Sequence, residues 1–374
     1  MVKTIGILGG GQLGRMLIQA GMNFNLHFSV LDPDKDAPCK SIADEFQAGS
    51  LSDFKTVYDF GKKAEVLTIE IEHVNVDALE KLEKEGVKVF PQSHIIRTIQ
   101  DKGLQKLFYR ENKISTAEFR LIESKIELLQ HSDFIPFFQK LRKGGYDGRG
   151  VQRIGSKDDF GKAFDQPSVL EKQAEIEKEL SVIVARNASG EVKTYPAVEL
   201  EFHPEANLVE YLFSPAGISA ETEKQAEQIA ADVAASLKIV GLLAVEMFLT
   251  KDGKILVNEI APRVHNSGHH TIEASVTSQF EQHLRAILNL PLGSAEIKMP
   301  AVMVNLLGEP GCEGEARYAG LNEVLKTAGV CIHLYGKKFT RPFRKMGHVT
   351  VIDRDLETAK EKAKFVKQTL KVIA

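Results

Sequence analysis

Cysteine is scarce in this chain: Cys39, Cys312 and Cys331 are the three among 374 residues. An odd, scattered set with no Cys-x-x-Cys excludes a disulfide framework and a cysteine-held zinc site. No run approaches 18 apolar residues, so no transmembrane helix is expected. The stretch Met1 to Ile7 enters a strand pattern at once and lacks the features of a signal peptide. Neither sign of charge dominates. The net charge of −3 leaves no basic footprint for nucleic acid. No G-x-x-x-x-G-K-[ST] occurs, so no Walker A loop holds a phosphate. Internal repeats and low-complexity segments are absent as well. The expectation is a cytoplasmic protein, off the membrane. Its 43% hydrophobic and 26% charged residues are ordinary for a globular core, and its length suits two or three domains.

What is present begins with a strand over residues 3–8 followed by Gly9-Gly10-Gly11-Gln12-Leu13-Gly14. A helix starts at Arg15, and a second strand, His27 to Asp32, ends in an acid. Gly9, Gly11 and Gly14 match G-x-G-x-x-G, the dinucleotide fingerprint. A glycine turn at a helix N-terminus receives any phosphate, so a sugar phosphate serves as well as a dinucleotide. Residues 64–74 read as a further strand, with Glu70 and Glu72 on one face. Lys88 to Pro91 closes a first domain. Residues 93–113 read as a helical connector carrying Asp101, Lys102 and Lys106, with the lysines expected in solvent. Phe134 to Leu141 is strand-like and carries Lys140. Then come Gly144, Gly145, Gly148 and Gly150, four glycines in seven residues, which no helix or strand interior tolerates. That stretch reads as a lid over phosphates or a plain loop. Ser168 to Ala174 is a strand ending in Glu171-Lys172. A helix is expected over 219–238, another over 272–289, short strands over 301–352 and a terminal helix over 355–372. Lys337, Arg341, Arg344 and Lys345 form a basic cluster that suits a phosphate or a solvated rim.

The densest signal is the pair of apolar runs Ala244 to Phe248 and Lys254 to Val257, joined by Asp252-Gly253, a hairpin turn pair. Pairing across that turn brings Glu246 toward Glu259, beside Asn258. Such a hard-oxygen set suits Mg²⁺ that also holds phosphates. Arg263-Val264-His265-Asn266-Ser267-Gly268 follows at once and supplies anion-binding groups.

In this order, the pieces resemble an ATP-grasp enzyme. Four strings resemble the 5-(carboxyamino)imidazole ribonucleotide synthase family of purine biosynthesis: Gly11 to Met16, Gly144 to Gly150, Asn258 to Gly268 and Arg344 to His348. The resemblance runs over essentially the whole chain. It implies an α/β and α+β multidomain fold: a Rossmann-like domain over 1–92, an ATP-grasp region over 93–300, and a small β-rich domain over 301–374. Within the ATP-grasp region a lid subdomain covers about 114–185 and a central subdomain with the metal site covers 186–300. It implies ATP, bicarbonate and 5-aminoimidazole ribonucleotide as substrates, Mg²⁺ with Mn²⁺ as a substitute, and a homodimer. It assigns ATP to Lys102, Lys140, the lid residues Gly145, Tyr146, Asp147, Gly148, Arg149, Gly150 and Val151, then to Glu171, Lys172, Gln173, Ala174, Glu179, His203, Asn258 and Glu259. The metal falls to Glu246 and Glu259. The ribonucleotide falls to Gln12, Glu72, Tyr146, Arg263, His265, Asn266, Ser267, Lys337 and Arg344. Asp147, Arg149, Arg263 and Lys337 are the groups nearest the chemistry.

Three positions depart from the family pattern. Lys102 stands where Arg is common and loses the planar fork. Val151 precedes Gln152, where Gln often follows the glycine directly. Phe343 stands where Gly is expected, at a cost if that position needs φ > 0. Alternatives are another ATP-grasp ligase acting on a ribonucleotide, a nicotinamide-dependent oxidoreductase resting on the glycine fingerprint, or a nucleotide-sensing binding protein.

Overall fold

The structure is a computed structural model that describes residues 3–145, 150–204 and 208–374. Its first unit is a five-stranded parallel sheet. The strands are β1 (Thr4–Leu8), β2 (His27–Asp32), β3 (Glu45–Ala48), β4 (Val66–Ile69) and β5 (Lys88–Val89), in the order β3-β2-β1-β4-β5. Ile5, Ile7 and Leu8 are fully buried, as expected of a parallel strand covered on both faces. Helix α1 (Gln12–Met22) leaves the glycine turn. Helices α2 (Phe54–Gly61) and α3 (Val76–Lys84) are capped by Asp53 and Asn75, whose side chains accept from Thr56 and Ala78 amides.

The expected strand over 64–74 is shorter. β4 stops at Ile69, because the Glu70 carboxylate turns to the Gly11 amide. The Gln100 amide also binds the carbonyls of Glu72 and Val74, which holds that stretch out of the sheet. Alternation therefore does not relate Glu70 to Glu72. The helical connector is two helices, α4 (Ser93–Ile99) and α5 (Lys102–Glu111), broken at Asp101. Asp101 caps α5 by accepting from the Gly103 and Leu104 amides.

A four-stranded antiparallel sheet follows: β6 (Phe119–Ile122), β7 (Phe137–Leu141), β8 (Val151–Ile154) and β9 (Ser168–Lys172), ordered β6-β9-β7-β8. The turn between β7 and β8 carries the glycine-rich stretch. The largest sheet has nine strands. One side of it is formed by β10 (Ile176–Arg186), β11 (Val192–Thr194), β12 (Val198–Phe202), β13 (Val209–Ser214), β14 (Gly241–Thr250) and the edge strand β15 (Ile255–Ala261). Helix α6 (Ala220–Leu237) covers one face of this sheet. Its Ala226, Ala230, Val233, Ala234 and Leu237 are buried at helical spacing.

Strands Ala301–Leu307 and Lys345–Ile352 are longer than the short strands expected, and both join the nine-stranded sheet. Three histidines seal their junction with the segment after β15. The His348 ring stacks on His333 at 4.5 Å and on His269 at 4.6 Å, and His333 Nε2 lies 2.6 Å from Glu273. The expected helix over 272–289 is two pieces, α7 (Thr271–Ala274) and α8 (Gln279–Ile287). Between them the Val276 and Thr277 amides bind the carbonyls of Glu296 and Ser294. Ser278 then caps α8. Ser278-Gln279-Phe280-Glu281 carries the Ser-x-x-Glu signature of a new helix start. The terminal helix stops at Thr369, and Lys371–Ile373 pairs as a strand with Arg317–Ala319.

Phe343 does adopt a left-handed backbone, with φ of 61°. Its ring lies 5.7 Å from that of His203.

Helix α1 packs tightly on β2 at Gly21. A Cβ there would lie 2.2 Å from Cζ of Phe28, a ring that is 1% exposed. Overpacking of this kind costs about 1–3 kcal/mol, against about 1 kcal/mol gained from helix propensity. Gly21→Ala should therefore lower stability in urea denaturation; a rise would show that the ring yields freely.

Candidate active site

The site is built on the β14–β15 hairpin. Asp252-Gly253 makes the turn, with Gly253 at φ 79°. Glu246 stands opposite Glu259, but one step along Met247 stands opposite Val257. The strand β15 thus carries one extra residue, Asn258. Strict alternation would send Asn258 and Glu259 to opposite faces. The bulge lets both turn to the same cluster of cations. Lys140 on β7 donates to Asn258 Oδ1 at 3.0 Å, and Lys102 on α5 donates to Glu259 at 2.6 Å.

Glu171, at the end of β9, closes the cluster. Its side chain is 7% exposed and bridges two ammonium groups, Lys106 at 2.7 Å and Lys140 at 2.5 Å. Burial alone would raise this carboxyl, but Lys140 and Lys106 overcome it and hold it down to about 2. Glu259 follows the same logic: burial raises it, and Lys102 wins, so it is held below the ordinary range. Among the described residues no ammonium forms an ion pair with Glu246, although Lys345 and Lys102 act on it from further away. Burial, then Glu259 and Glu179, push it up to about 8.

The segment after β15 lies on the other side of Glu246. His265 Nε2 lies 3.7 Å from Glu246 Oε1, and burial holds this imidazole neutral, well below its ordinary range. Arg263 Nε lies 2.8 Å from Glu72. Asn266 Nδ2 is buried without a hydrogen-bond partner among the described residues. Ser267 is turned inward, 1% exposed, with its hydroxyl between Ser181 at 2.8 Å and His265 Nδ1 at 2.9 Å. Lys337 donates to the Lys345 carbonyl at 2.8 Å, 5.6 Å above the Tyr335 ring. Burial, then Arg344, lower its ammonium to about 8.

The glycine turn meets this region from the first unit. Its amides are already engaged. Gly10 donates to Asp32 at 2.6 Å and Gly11 donates to Glu70. A Cβ on Gly11 would lie 2.2 Å from Glu70 Oε1. The place a dinucleotide pyrophosphate takes in a true fingerprint is filled by the protein's own acids. Burial pushes Glu70 up to about 7, against the pull of the Gly11 amide. Gln12 opens α1 beside this turn.

Other expected residues lie apart from the cation cluster. The Lys172 ammonium binds the carbonyls of Phe134 and Ile135, and Gln173 accepts from Arg153; both side chains serve the lid sheet. Ala174 follows them in the loop to β10. Glu179 lies on β10, near enough to Glu246 to raise its proton affinity. His203 sits against Phe343, beyond the end of β12. Arg344 donates to the Phe339 carbonyl and lines a cavity of about 360 Å³ with Glu313, Thr340 and Arg341. Gly145 follows β7, Gly150 precedes β8 and Val151 opens β8. Tyr146, Asp147, Gly148 and Arg149 lie outside the described residues.

Lys106 is the correction. Expected in solvent, it is 3% exposed and bound to Glu171. Its spacing of four from Lys102 puts both on one helix face, a signal available in the chain. Glu70 was also passed over as a site residue.

The Glu246 environment sets a pH dependence. The unfolded chain releases this proton near the ordinary glutamate value of 4.5, while in the folded protein burial and the neighbouring acids push it up to about 8. Stability from this group is therefore full below the lower value and is lost as pH rises through the upper one. Glu246→Gln should raise the metal-free melting temperature near pH 8 and leave it nearly unchanged near pH 4.5. Equal shifts at both would rule out the electrostatic cause.

Family models match end to end: a ribonucleotide synthetase preATP-grasp domain at residues 2–100, an ATP-grasp domain at 107–280, and a phosphoribosylaminoimidazole carboxylase C-terminal domain at 301–362. The chloroplastic phosphoribosylaminoimidazole carboxylase of Vigna aconitifolia is 42% identical over 366 residues, covering 95% of this chain and 65% of that protein. The chain thus spans about two thirds of that relative's length. The crystal structure of N5-carboxyaminoimidazole ribonucleotide synthetase from Thermotoga maritima is 47% identical, with a TM-score of 0.92 and full coverage of both chains. The Aspergillus clavatus N5-carboxyaminoimidazole synthase, solved with ADP and 5-aminoimidazole ribonucleotide, is 35% identical, with a TM-score of 0.89 over 98% of each chain. With all three modules in order and a relative of this identity matched along its whole length, the chain belongs to the N5-carboxyaminoimidazole ribonucleotide synthase family of ATP-grasp enzymes.

Proposed function

We propose that this protein carboxylates 5-aminoimidazole ribonucleotide with bicarbonate and ATP, giving 5-(carboxyamino)imidazole ribonucleotide, ADP and phosphate in purine biosynthesis. The observation that carries the reading is the bulged hairpin, which sets Glu246, Asn258 and Glu259 beside Lys102 and Lys140, with the Arg263–Gly268 loop immediately after. The solved relative with ADP and the ribonucleotide supports it.

Bicarbonate is a poor electrophile. Transfer of the γ-phosphoryl group to a bicarbonate oxygen, with ADP leaving, makes carboxyphosphate. Phosphoryl transfer needs positioning and charge neutralisation more than covalent help. Lys140 and Lys102 supply positive charge. The donor set Glu246 and Glu259 fits Mg²⁺, or Mn²⁺ in its place. Both offer hard oxygens, and a bound cation would offset the burial and the neighbouring Glu259 and Glu179 charges that push Glu246 toward its protonated form. Bound there, the ion would neutralise phosphate charge. The amine of the ribonucleotide then attacks the carboxyl carbon, phosphate leaves, and the nitrogen loses a proton. Asp147 is proposed to take or orient that proton, and Arg149 and Arg263 to hold the anion. Lys337, Arg344, Gln12, Glu72, His265 and Asn266 are proposed to receive the ribonucleotide. Carboxyphosphate hydrolyses in water, which gives the glycine-rich stretch its purpose as a lid. A cytoplasmic homodimer is part of the proposal.

A coupled ADP-release assay tests this. ADP should form only with both bicarbonate and 5-aminoimidazole ribonucleotide present; release indifferent to both would sink the assignment. Glu259→Gln should abolish ADP formation. Arg263→Ala should chiefly raise the ribonucleotide KM, by about ten-fold or more for a lost charged contact. Matching defects in ATP and ribonucleotide dependence would undo that division of labour. Near-normal turnover of Asp147→Ala at saturating substrates would remove it from the proton step.

A further inference from the structure

We propose that Lys106 is a positioning residue of the nucleotide site: it anchors the Glu171 carboxylate so that Lys140 is free to leave Glu171 for the incoming phosphates. The inference rests on the ATP reading above.

Glu171 is served by two lysines of unequal access. The Lys140 side chain is 16% exposed and that of Lys106 is 3% exposed. Only Lys140 can turn toward a ligand. Its second contact, to Asn258, already lies in the hairpin. Lys106 has no such freedom. Its ammonium meets Glu171 at 2.7 Å and Thr116 Oγ1 at 2.6 Å, and lies 5.6 Å from the Tyr109 ring centre. Thr116 in turn donates to the Val257 carbonyl at 2.6 Å, the residue just before the bulge. The chain Glu171–Lys106–Thr116–Val257 is therefore a strut from the lid sheet to the metal hairpin. It spans two elements that must keep register for one ligand to touch both.

The need for the strut follows from charge. A buried carboxylate that loses its only cation is destabilised by several kcal/mol. If Lys140 were the sole partner of Glu171, turning to phosphate would strand that carboxylate. With Lys106 fixed behind it, Glu171 stays ionised and in place through the exchange. Burial lowers the Lys106 ammonium, and Glu171 opposes that, so each group keeps the other charged.

The test uses the full chain and reads ATP and ADP binding by calorimetry, with no acceptor present, beside the ADP-release assay. Nucleotide binding by the wild type establishes the ATP reading independently. Lys106→Met should weaken ADP binding and raise the ATP KM on the order of ten-fold, as loss of a supporting partner does, with a much smaller change in kcat. Glu171→Gln should weaken binding too, and Lys106→Met/Glu171→Gln should be no worse than Glu171→Gln alone, because Lys106 acts through that carboxylate. A general structural role would instead add its full cost in the double variant. If Lys106→Met alone gives no cooperative melt, the comparison of Glu171→Gln with the double variant decides: equal affinity supports the strut and a further loss overturns it. Unchanged nucleotide affinity in a folded Lys106→Met would also overturn it.

Discussion

Two like charges facing each other across adjacent strands are the constraint on which this site depends. Glu246 and Glu259 occupy paired positions of one hairpin, close enough that Glu259 raises the proton affinity of Glu246. The surrounding elements answer that repulsion one residue at a time. The helix α5 sends Lys102 to Glu259. The lid sheet sends Lys140 to Asn258 and to Glu171. Glu246 forms no ammonium ion pair among the described residues, and burial with Glu259 and Glu179 shifts it toward its protonated form. The arrangement is a poor one for stability, since buried ion pairs recover their desolvation only with good geometry. It suits a site whose missing charge arrives with a ligand.

Much of this was legible in the chain, because much of it is local. Asp252-Gly253 between two apolar runs names the hairpin, and four glycines after a lysine-bearing strand mark where β7 ends. The bulge at Asn258 was not legible. Nothing in Leu256-Val257-Asn258-Glu259 distinguishes an even ladder from one with an extra residue, yet that residue decides whether the amide joins the acid. Lys106 was misread for a related reason. Its burial is created by Glu171, 65 positions away in sequence by subtraction of the two residue numbers, and helix pattern alone treats a lysine as solvated. Element lengths failed where tertiary hydrogen bonds overrode propensity, as at Glu70 and at Val276.

The glycine turn shows how one pattern carries two uses. Strand, glycines, helix and terminal acid are all there, and the sheet is the parallel one the pattern announces. In this chain Asp32 and Glu70 take the Gly10 and Gly11 amides. The glycines are still required, since a side chain at Gly11 would collide with Glu70, but what they admit is the protein's own carboxylate. Glu70 then lies close enough to Lys337 and Arg263 for each to favour its ionised form, which points the turn toward the acceptor half of the site.

The two halves are joined through Glu246. Ser181 on β10 stands opposite Glu246 and holds Ser267. Ser267 holds His265, and His265 approaches Glu246 again. The loop that follows the hairpin is thus closed back onto the carboxylate of the nucleotide half by a ring of short contacts. Arg263 lies outside that ring, paired with Glu72 of the first unit. The geometry therefore separates two kinds of residue in one loop. Arg263 makes its contact with the first unit and leaves the hairpin alone. His265 and Ser267 fix the loop to the hairpin, so a change there is felt on both sides. The Ser267 hydroxyl, counted from sequence among groups that touch a ligand, is spent on this internal junction, and the Asn266 amide beside it is buried with no hydrogen-bond partner among the described residues.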